Sequence, residues 1–409
     1  SSATPERDRC TLRAMEIRAI TDDEATQFRE AMLQTFGLDA ADDAGSDLRM
    51  RHLIAPGQAW AVFDGGSIVG TAGTFNFDIG IPGGSLPIAG LTMVTVRPTH
   101  RRRGLLRSLM TRHLDDARAR GLGVSGLWAS EATIYGRFGY GIAAEHDEIE
   151  IRAADQLVFR SRDVDEVGWI DESRAREVLP AIYARATSGR PGAVRRPDVW
   201  WRERRFLETS FHRDGASTRR HVLARRGDEL VGYVAYRHRL QGGLGGKTEI
   251  IELHGIDPRA EATLWRYVLQ MDLFRDVSWS NAPVDGPLPF LVDNFRRIER
   301  RRSDNVWLRI EDVATALRAR RYQADGALRF AIEGQCFELV VRDGEATCGE
   351  TTQSSDVEIT RAALGSLYLG GFTASRLARA GHIRGDARAI TLADQLFGWS
   401  VSPWCPEIF

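Results

Sequence analysis

A β-strand, a basic turn and an amphipathic helix follow one another without a break at residues 89–121. The strand AGLTMVTVRP ends at Pro98, which has no N–H group to donate to a sheet. The turn RRRG follows at 101–104, and apolar residues then recur at helical spacing from Leu106 to Ala117. A strand that passes through a short turn into a helix is typical of α/β folds, in which the helix packs on the sheet.

The charge of this turn is unfavourable where it occurs. A helix N-terminus already carries about half a positive charge from its aligned peptide dipoles, and Arg101, Arg102 and Arg103 add to it. The chain as a whole is nearly neutral, with 55 basic and 56 acidic residues. We therefore expect an anion here, and backbone N–H groups at Gly104 together with arginine side chains suit a pyrophosphate. The turn by itself leaves open a solvated basic surface.

The predicted elements around this junction form an alternating series. Thr21 or Asp22 is expected to cap a helix over 21–36, and IPGGSLP at 81–87 is expected to be a loop. A short helix is predicted at 132–138. Strands are predicted at 16–20, 59–63, 67–77, 89–98, 123–130 and 140–151.

A second part of the chain repeats this order. The strand–turn–strand pattern at 221–240 precedes a strand and helix at 247–271, with Asp257-Pro258-Arg259-Ala260 in the place of the basic turn. The stretch VSWSNAPVDGPLP at 277–289 reads as a boundary zone, and a third unit of strands and helices is expected from about residue 303. The 409 residues suit two or three domains.

Composition excludes several classes of protein. The near-neutral charge gives no support to a general nucleic-acid or membrane-surface role. No apolar run is long enough to span a bilayer, and the polar N-terminus is unlike a signal peptide. The four cysteines have no CxxC spacing, which predicts free thiols in a reducing compartment and no zinc or other metal site.

Four segments resemble one known family. PTHRRRGLLR at 98–107, ASEATIYGRFGYG at 129–141, WLRIEDVATAL at 307–317 and LGSLYLGG at 364–371 are similar to the Eis family of actinobacterial acetyltransferases. The Arg-x-x-Gly element is that of GNAT N-acetyltransferases, with Leu106 where the usual residue is glycine or alanine. The resemblance implies an α/β (α+β) chain with a GNAT domain at 1–155, a degenerate GNAT-like domain at 156–300 and a sterol-carrier-protein-like domain at 301–409. It also implies a homo-hexamer.

The resemblance implies that acetyl-CoA is the co-substrate. The amides of strand residues 94–96 would hold its pantetheine and polarise the thioester carbonyl, although Val94 and Val96 also suit a core. The loop would hold the pyrophosphate, with Arg103 pointing either to the phosphates or to solvent. The implied cofactor residues are Val94, Thr95, Val96, Arg101, Arg102, Arg103, Gly104, Leu105 and Leu106.

The resemblance also implies the catalytic groups. Tyr135 would be the general acid that protonates the leaving thiolate, with Tyr140 as the alternative. The tail LFGWSVSPWCPEIF is too apolar to extend into water, and the terminal carboxylate of Phe409 would be the general base on the attacking amine. Transfer would be direct, because Cys405 has no evident histidine or aspartate partner for nucleophilic catalysis.

The acceptor is expected to be a cationic amine. Phe36, Asp39 and Glu407 are the implied substrate-binding residues, whereas Leu38 and Ile408 stand where aminoglycoside-acetylating relatives have acidic residues. Aminoglycosides, basic peptide antibiotics, polyamines and lysine side chains all stay open. A lipid carrier without catalysis is the alternative function, and nucleic-acid binding has no supporting motif. The expected location is the cytoplasm, with release by a route that needs no signal peptide left open.

Overall fold

The computed structural model describes residues 15–39, 46–54, 57–160, 163–209, 213–243 and 245–409. The chain divides into two compact units. Unit 1 takes the described residues up to Phe75 together with Leu91–Asp116, and unit 2 takes Asn76–Gly90 and Ala117–Phe409. Cys10 lies outside the described residues.

Unit 1 contains a sheet with helices. Two long strands and one helix of this list also have residues in unit 2. The elements are β1 (Glu16–Ala19), α1 (Ala25–Thr35), α2 (Ser46–Leu53), β2 (Ala59–Asp64), β3 (Ser67–Ile81), β4 (Gly84–Val96) and α3 (Leu105–Ala119). Strands β1, β2 and β3 pair antiparallel in that order. Helix α2 has no counterpart in the sequence prediction.

The first helix begins with the cap that the sequence predicts. A 3₁₀ turn at Asp22–Glu24 leads into α1, and Thr21 and Glu24 form a capping box around it. The Glu24 carboxylate accepts the Thr21 N–H at 2.9 Å. This exchange satisfies donors that a helix start would leave unpaired.

Helix α3 buries the face that its apolar spacing predicts. Leu109, Met110 and His113 are buried, whereas Leu106 at the helix start is half-buried. The His113 ring is within 2.8 Å of the Thr74 hydroxyl, so this polar member of the apolar face has a hydrogen-bond partner.

The prediction of a loop at 81–87 is wrong. Strand β3 continues to Ile81 and β4 begins at Gly84, so the connection is a two-residue turn, Pro82-Gly83. Gly83 has a φ of 71°, which a side chain would disfavour. The dipeptide Pro-Gly marked the turn correctly, but the flanking residues pair as strand instead of leaving the sheet.

Unit 2 contains the remaining elements. Its strands are β5 (Val124–Trp128), β6 (Gly141–Ile142), β7 (Glu145–Ile151), β8 (Glu166–Ile170), β9 (Val194–Arg195), β10 (Arg220–Arg226), β11 (Glu229–Leu240), β12 (Gly246–Gly255), β13 (Asp276–Pro283), β14 (Ile298–Asp304), β15 (Val306–Ile310), β16 (Gly326–Ile332), β17 (Gln335–Arg342), β18 (Glu345–Glu350), β19 (Val357–Ile359) and β20 (Ile383–Gly385). Its helices are α4 (Ala132–Tyr135), α5 (Glu172–Ala186), α6 (Asp198–Trp200), α7 (Pro258–Leu269), α8 (Leu288–Leu291), α9 (Val313–Ala319), α10 (Arg361–Tyr368), α11 (Ala374–Arg379) and α12 (Ala387–Phe397). A π-helical turn, Trp201–Phe206, continues α6.

Three groups of strands organise unit 2. Strand β15 pairs with both β5 and β6, and β9 pairs with the outer part of β3. A seven-stranded sheet has the order β14-β7-β13-β12-β11-β10-β8, and a five-stranded sheet has the order β18-β17-β16-β19-β20. In the seven-stranded sheet β12 and β13 are parallel and α7 connects them, which confirms the repeated strand–helix unit.

The core of the seven-stranded sheet lies under α7. Leu264, Trp265 and Val268 on this helix pack with residues of the sheet in one buried cluster, to which Trp404 near the C-terminus also belongs. The helix begins at Asp257, whose side chain accepts the Ala260 N–H, with Pro258 at the first helical position. The C-terminal tail is therefore part of this core.

Two predicted boundaries are crossed by strands. The zone at 277–289 is wrong as a boundary, because β13 lies between β7 and β12 inside the seven-stranded sheet. The single strand predicted at 140–151 is two strands, and β6 and β7 belong to different sheets. Strand β15, at the start of the third unit that the sequence predicts from about residue 303, pairs with β5. Each of these pairings joins segments that are far apart in sequence, which a local pattern does not record.

Candidate active site

The basic turn lies in unit 1 between β4 and α3. Pro98–His100 form a 3₁₀ turn, after which Arg102 has a φ of 65° and Gly104 a φ of 82°. Arg101, Arg102 and Arg103 are all exposed to solvent. Two left-handed residues within three positions bend the chain sharply, and a non-glycine residue such as Arg102 rarely takes this conformation. The strain lies at the point where the sequence predicts an anion.

Helix α3 starts directly at this turn. The Ser108 N–H donates to the Gly104 carbonyl at 3.1 Å, so the N–H groups of residues 105–107 have no carbonyl within the helix to bind. No atom of the described protein lies within 4 Å of the position that a Gly104 side chain would take. Open space, free amide donors and exposed guanidinium groups fit a bound pyrophosphate.

Strand β4 has an irregularity that none of its residue types predicts. Met93 has a φ of 55° in the middle of the strand. The Thr71 hydroxyl donates to the Met93 carbonyl at 2.7 Å, and the Thr95 hydroxyl is 2.6 Å from that of Thr71. Because the Thr71 proton is committed to Met93, Thr95 is the donor in this pair. The two threonines hold a distorted strand next to the predicted pantetheine residues, of which Val94 and Val96 are half-buried.

Two predicted substrate residues follow α1 in unit 1. Phe36 is 48% exposed and Asp39 is exposed. An aromatic ring left in solvent and a nearby carboxylate are the types of group that bind an organic cation.

Tyr135 ends helix α4 in unit 2. Its side chain is buried, and burial raises the pKa of the phenol above its ordinary value of 10, against the opposing effect of a hydrogen bond with Ser130. A phenol with a raised pKa keeps its proton at neutral pH, as a general acid requires.

Tyr140, the alternative acid, is part of the core. Its hydroxyl is 2.7 Å from the Ser125 hydroxyl, which itself donates to the Ala89 carbonyl at 3.1 Å. Tyr140 therefore donates to Ser125, and its side chain is fully buried. A proton that is already committed to a buried partner makes Tyr140 the weaker candidate for the acid.

The C-terminal tail is anchored through its backbone. The Cys405 N–H donates to the Asn305 side chain at 3.0 Å, and the Cys405 carbonyl accepts from Asn305 and Asn281 at 3.0 and 3.1 Å. The Trp404 N–H donates to the Pro191 carbonyl at 2.9 Å. These bonds confirm that the tail is docked and not frayed.

Phe409 ends the chain inside unit 2. Its ring makes an edge contact with Phe77, with the ring centroids 4.9 Å apart, and Phe77 makes a similar contact with Trp200. A side chain on Gly90 would lie 3.3 Å from the Phe409 ring, so glycine leaves room for this aromatic group.

The predicted acid and base share one region of unit 2. The Tyr135 and Tyr140 rings are 6.2 Å apart, and Tyr140 connects through Ser125 to the Ala89 carbonyl. The next residue, Gly90, is the one against which Phe409 packs. Tyr140, the neighbour of Tyr135, thus connects to Ala89 of β4, and Phe409 packs against the adjacent residue Gly90.

Glu407 has a different environment from the one expected of a substrate ligand. It is 1% exposed, and its carboxylate pairs with Arg196 and lies 3.2 Å from Arg205. A carboxylate enclosed by two arginines is not available to bind an acceptor. The interpretation of Glu407 as a substrate contact does not fit this geometry.

The surroundings of the Cys405 thiol do not suit a catalytic nucleophile. Its thiol is fully buried and donates to the Glu407 carbonyl at 3.2 Å, and burial raises its pKa to about 12. A reactive cysteine needs a lowered pKa and access to substrate. The described cysteines, Cys336, Cys348 and Cys405, are all free thiols.

Comparisons with known proteins identify the domains and the family of the chain. Residues 16–143 and 192–310 each match an acetyltransferase (GNAT) domain family, and residues 313–406 match the sterol carrier protein domain. An uncharacterized N-acetyltransferase from Streptomyces avermitilis is 35% identical, over 96% of this chain and 99% of its own. N-acetyltransferase Eis from Mycobacterium tuberculosis is 35% identical over 82% of this chain and 85% of its own. The chain belongs to the Eis family of GNAT N-acetyltransferases.

A solved structure extends the likeness to three dimensions. The crystal structure of Eis1 from Mycobacterium abscessus has a TM-score of 0.83 and 31% identity, and the match covers 96% of this chain and 100% of that one. As an Eis-family member the protein is an enzyme, a GNAT N-acetyltransferase with tandem GNAT domains and a sterol-carrier-like domain. This sets aside the alternative of a carrier without catalysis.

Two negative observations apply to the described residues of this Eis-family enzyme. They contain no cluster of three His, Cys, Asp or Glu side chains placed to hold a metal ion. Within the same ranges, every helix is too short or too polar to cross a bilayer.

Proposed function

We propose that this Eis-family enzyme transfers the acetyl group of acetyl-CoA directly to a primary amine of a cationic acceptor. The observation that carries the proposal is the docked C-terminal tail, whose last ring packs against Phe77 and Gly90. A chain terminus that is held in place brings one carboxylate without the need for a side chain. The tail would therefore supply the general base.

Acetyl-CoA fits the features of the basic turn. Its pyrophosphate would bind the amide groups at the start of α3 and the side chains of Arg101 and Arg102, with Arg103 as a further exposed cation. Residues 94–96 would hold the pantetheine, and their amides would stabilise the negative oxygen that forms on the thioester carbonyl. Gly104, Leu105 and Leu106 would complete the loop.

The proposed reaction has no covalent enzyme intermediate. The amine nitrogen attacks the thioester carbon, a C–N bond forms, and the C–S bond then breaks to release CoA as thiolate. The Phe409 carboxylate takes the proton that the amine loses, and Tyr135 gives its proton to the thiolate. The buried Cys405 thiol takes no part.

The acceptor is proposed by its chemistry. An amine that is protonated in water is attracted to Asp39 and to the ring of Phe36. Aminoglycosides, basic peptide antibiotics, polyamines and protein lysines all carry such amines. We keep the homo-hexamer and the domain ranges 1–155, 156–300 and 301–409 as further proposals that rest on the family.

The test is release of CoA thiol from acetyl-CoA in the presence of kanamycin, capreomycin, spermidine and Nα-acetyl-lysine, beside calorimetric binding of acetyl-CoA. We expect turnover with at least one amine. In amine-free incubations, intact-protein mass spectrometry should show no acetyl-enzyme, and a Cys405→Ala variant should keep its turnover. Absence of acetyl-CoA binding, or an acetyl-enzyme that passes its acetyl group to the amine, would contradict the proposal.

A further inference from the structure

The backbone of the last six residues is hydrogen-bonded by one part of the chain, whereas the Phe409 ring packs against Phe77 and Gly90 of the first GNAT segment. Besides the bonds of Trp404 and Cys405, the Pro406 carbonyl accepts from Arg205 at 3.3 Å and the Ile408 carbonyl accepts from Arg204 at 2.9 Å. These partners, together with Arg196, lie within residues 191–305, and nearly all of that range belongs to the second GNAT segment, 192–310. A domain that has lost the basic turn of the first copy thus provides these backbone contacts with the terminus.

Glu407, in the tail, belongs to a buried cluster of four charged groups. Arg196 donates to Glu252 at 2.5 Å and to Glu407, and Arg205 pairs with the same two carboxylates. The Tyr233 hydroxyl donates to Glu252 at 2.7 Å. Two arginines and two glutamates balance each other, which a buried cluster needs to be stable.

Arg196 is fixed on its remaining sides. Its guanidinium lies 3.7 Å above the Tyr183 ring and 4.6 Å from the Trp201 ring, and its side chain is fully buried. Aromatic rings on these sides and carboxylates on the others enclose the guanidinium group. Glu407 is therefore bound to a rigid group and not to a mobile surface arginine.

The charged cluster can affect catalysis because Glu407 lies close to the end of the chain. The terminal carboxylate is two residues away, and the charged groups around the tail include Arg190, Arg196, Arg204, Arg205 and Glu252, with the neutral ring of His254 nearby. An arginine without its own carboxylate would attract the terminal one and weaken it as a base.

We infer that Glu407, held by Arg196, Arg205 and Glu252, is a positioning residue that fixes the Phe409 carboxylate and keeps both arginines from pairing with it. The inference rests on the proposed function of that carboxylate as the base. It assigns a task to the degenerate second GNAT domain, which is to hold the catalytic end of the chain.

The test compares kcat, KM and the pH profile of kcat for the wild type, Glu407→Gln and the double variant Glu407→Gln/Arg205→Gln. The substrates are acetyl-CoA and the best amine of the panel named above. Glu249→Gln is the matched control, because Glu249 lies on β12, the strand that also carries Glu252, and its carboxylate pairs with Arg239.

We expect Glu407→Gln to lower kcat about 10- to 100-fold, since small displacements of a reacting group have large effects. The KM for acetyl-CoA should stay unchanged. The acid limb of the profile should move to lower pH by about one unit, because an unbalanced arginine favours the ionised carboxylate. The double variant restores the charge balance, so its acid limb should return to the wild-type pH while kcat stays low. Glu249→Gln should behave as wild type.

The outcomes separate this inference from the proposed base. A Phe409 deletion without activity together with wild-type kinetics of Glu407→Gln would overturn the inference alone. Wild-type turnover of the Phe409 deletion would overturn both. If Glu407→Gln does not fold, the charge-balanced double variant decides, and a wild-type kcat there would contradict positioning by Glu407.

Discussion

Tyr135 and Tyr140 lie five residues apart in one motif, but their hydroxyl groups have different surroundings. We expect Tyr135→Phe to lower kcat about 100-fold or more, because the leaving thiolate loses its proton donor. Since burial raises the pKa of Tyr135, kcat of the wild type should not fall as the pH rises to about 10, the ordinary pKa of a phenol. Steady-state kinetics of CoA release measure both effects.

Tyr140→Phe is the matched control at the residue scale. It removes the hydrogen bond to Ser125, at a cost of about 1 kcal/mol in the free energy of unfolding. Its kcat should stay within a few-fold of wild type. A loss of activity in Tyr140→Phe as large as that in Tyr135→Phe would contradict the assignment of the acid.

Gly104 is required for its backbone conformation. Alanine at a φ of 82° costs about 1–2 kcal/mol of strain, and its methyl group would enter the space proposed for the pyrophosphate. We expect Gly104→Ala to raise the KM for acetyl-CoA. Gly121→Ala, at a φ of 70° and with equally open space, should cost similar stability and leave KM unchanged; equal KM values for the two variants would count against the loop.

At the scale of elements, one arginine joins two helix ends. Arg320 is fully buried and donates to the carbonyl of Tyr368, which ends α10, at 2.9 Å and to that of Phe397, which ends α12, at 3.1 Å. Burial lowers its pKa. The carbonyls at the C-termini of these helices, the negative ends of their dipoles, partly compensate the buried charge.

We expect Arg320→Ala to lower the free energy of unfolding by about 3 kcal/mol, because it leaves a cavity and two unpaired carbonyls. Arg318→Ala, on the exposed face of the same helix α9, should cost less than about 1 kcal/mol. Chemical denaturation measures both variants. Similar values for the two would show that the buried arginine does not join the helices.

Alternating strands and capped helices could be predicted from local pattern, as Thr21 and the strand–helix unit of β12 and α7 show. Pairing between distant segments could not. The residues of β15 read as a strand, but nothing in them says that they pair with β5 and not with the sheet that follows.

Some features of the candidate site could likewise be predicted from the sequence, and others could not. The basic turn, Tyr135 and the docked tail came from motifs and composition, whereas Met93 adopts its left-handed φ without any local signal in the residue type. The partner of Glu407 lies 211 residues earlier in the chain. From the sequence alone, the Glu407 carboxylate is a reasonable substrate contact. Only the structure shows that it pairs with Arg196.

At the scale of the whole molecule, buried histidines predict the response to acid. Burial is the largest cause that lowers the pKa of His254 to about 3 and those of His221 and His238 to about 4. In the unfolded chain these groups titrate near about 6.5. The stability that they contribute is complete above that pH and is lost as the pH falls through the window towards about 3.

The carboxyl group of Glu261 has the opposite effect on how stability depends on pH. Burial raises its pKa to about 7, so its contribution is lost as the pH rises from its unfolded value of about 4.3. Burial also lowers the pKa of His146. With four imidazoles against one carboxyl group, we expect Tm to fall from pH 6.5 to pH 4, and His254→Gln to flatten the slope. A Tm that rises on acidification over this range would contradict the balance.

The central claim is that the end of the chain is the base. It is tested most directly by CoA release from acetyl-CoA with the best amine acceptor, comparing the wild type with a variant that lacks Phe409, beside the Kd of each for acetyl-CoA. The account predicts that kcat falls about 100-fold or more while the Kd for acetyl-CoA stays the same. Wild-type turnover by the shortened chain would show that the base lies elsewhere.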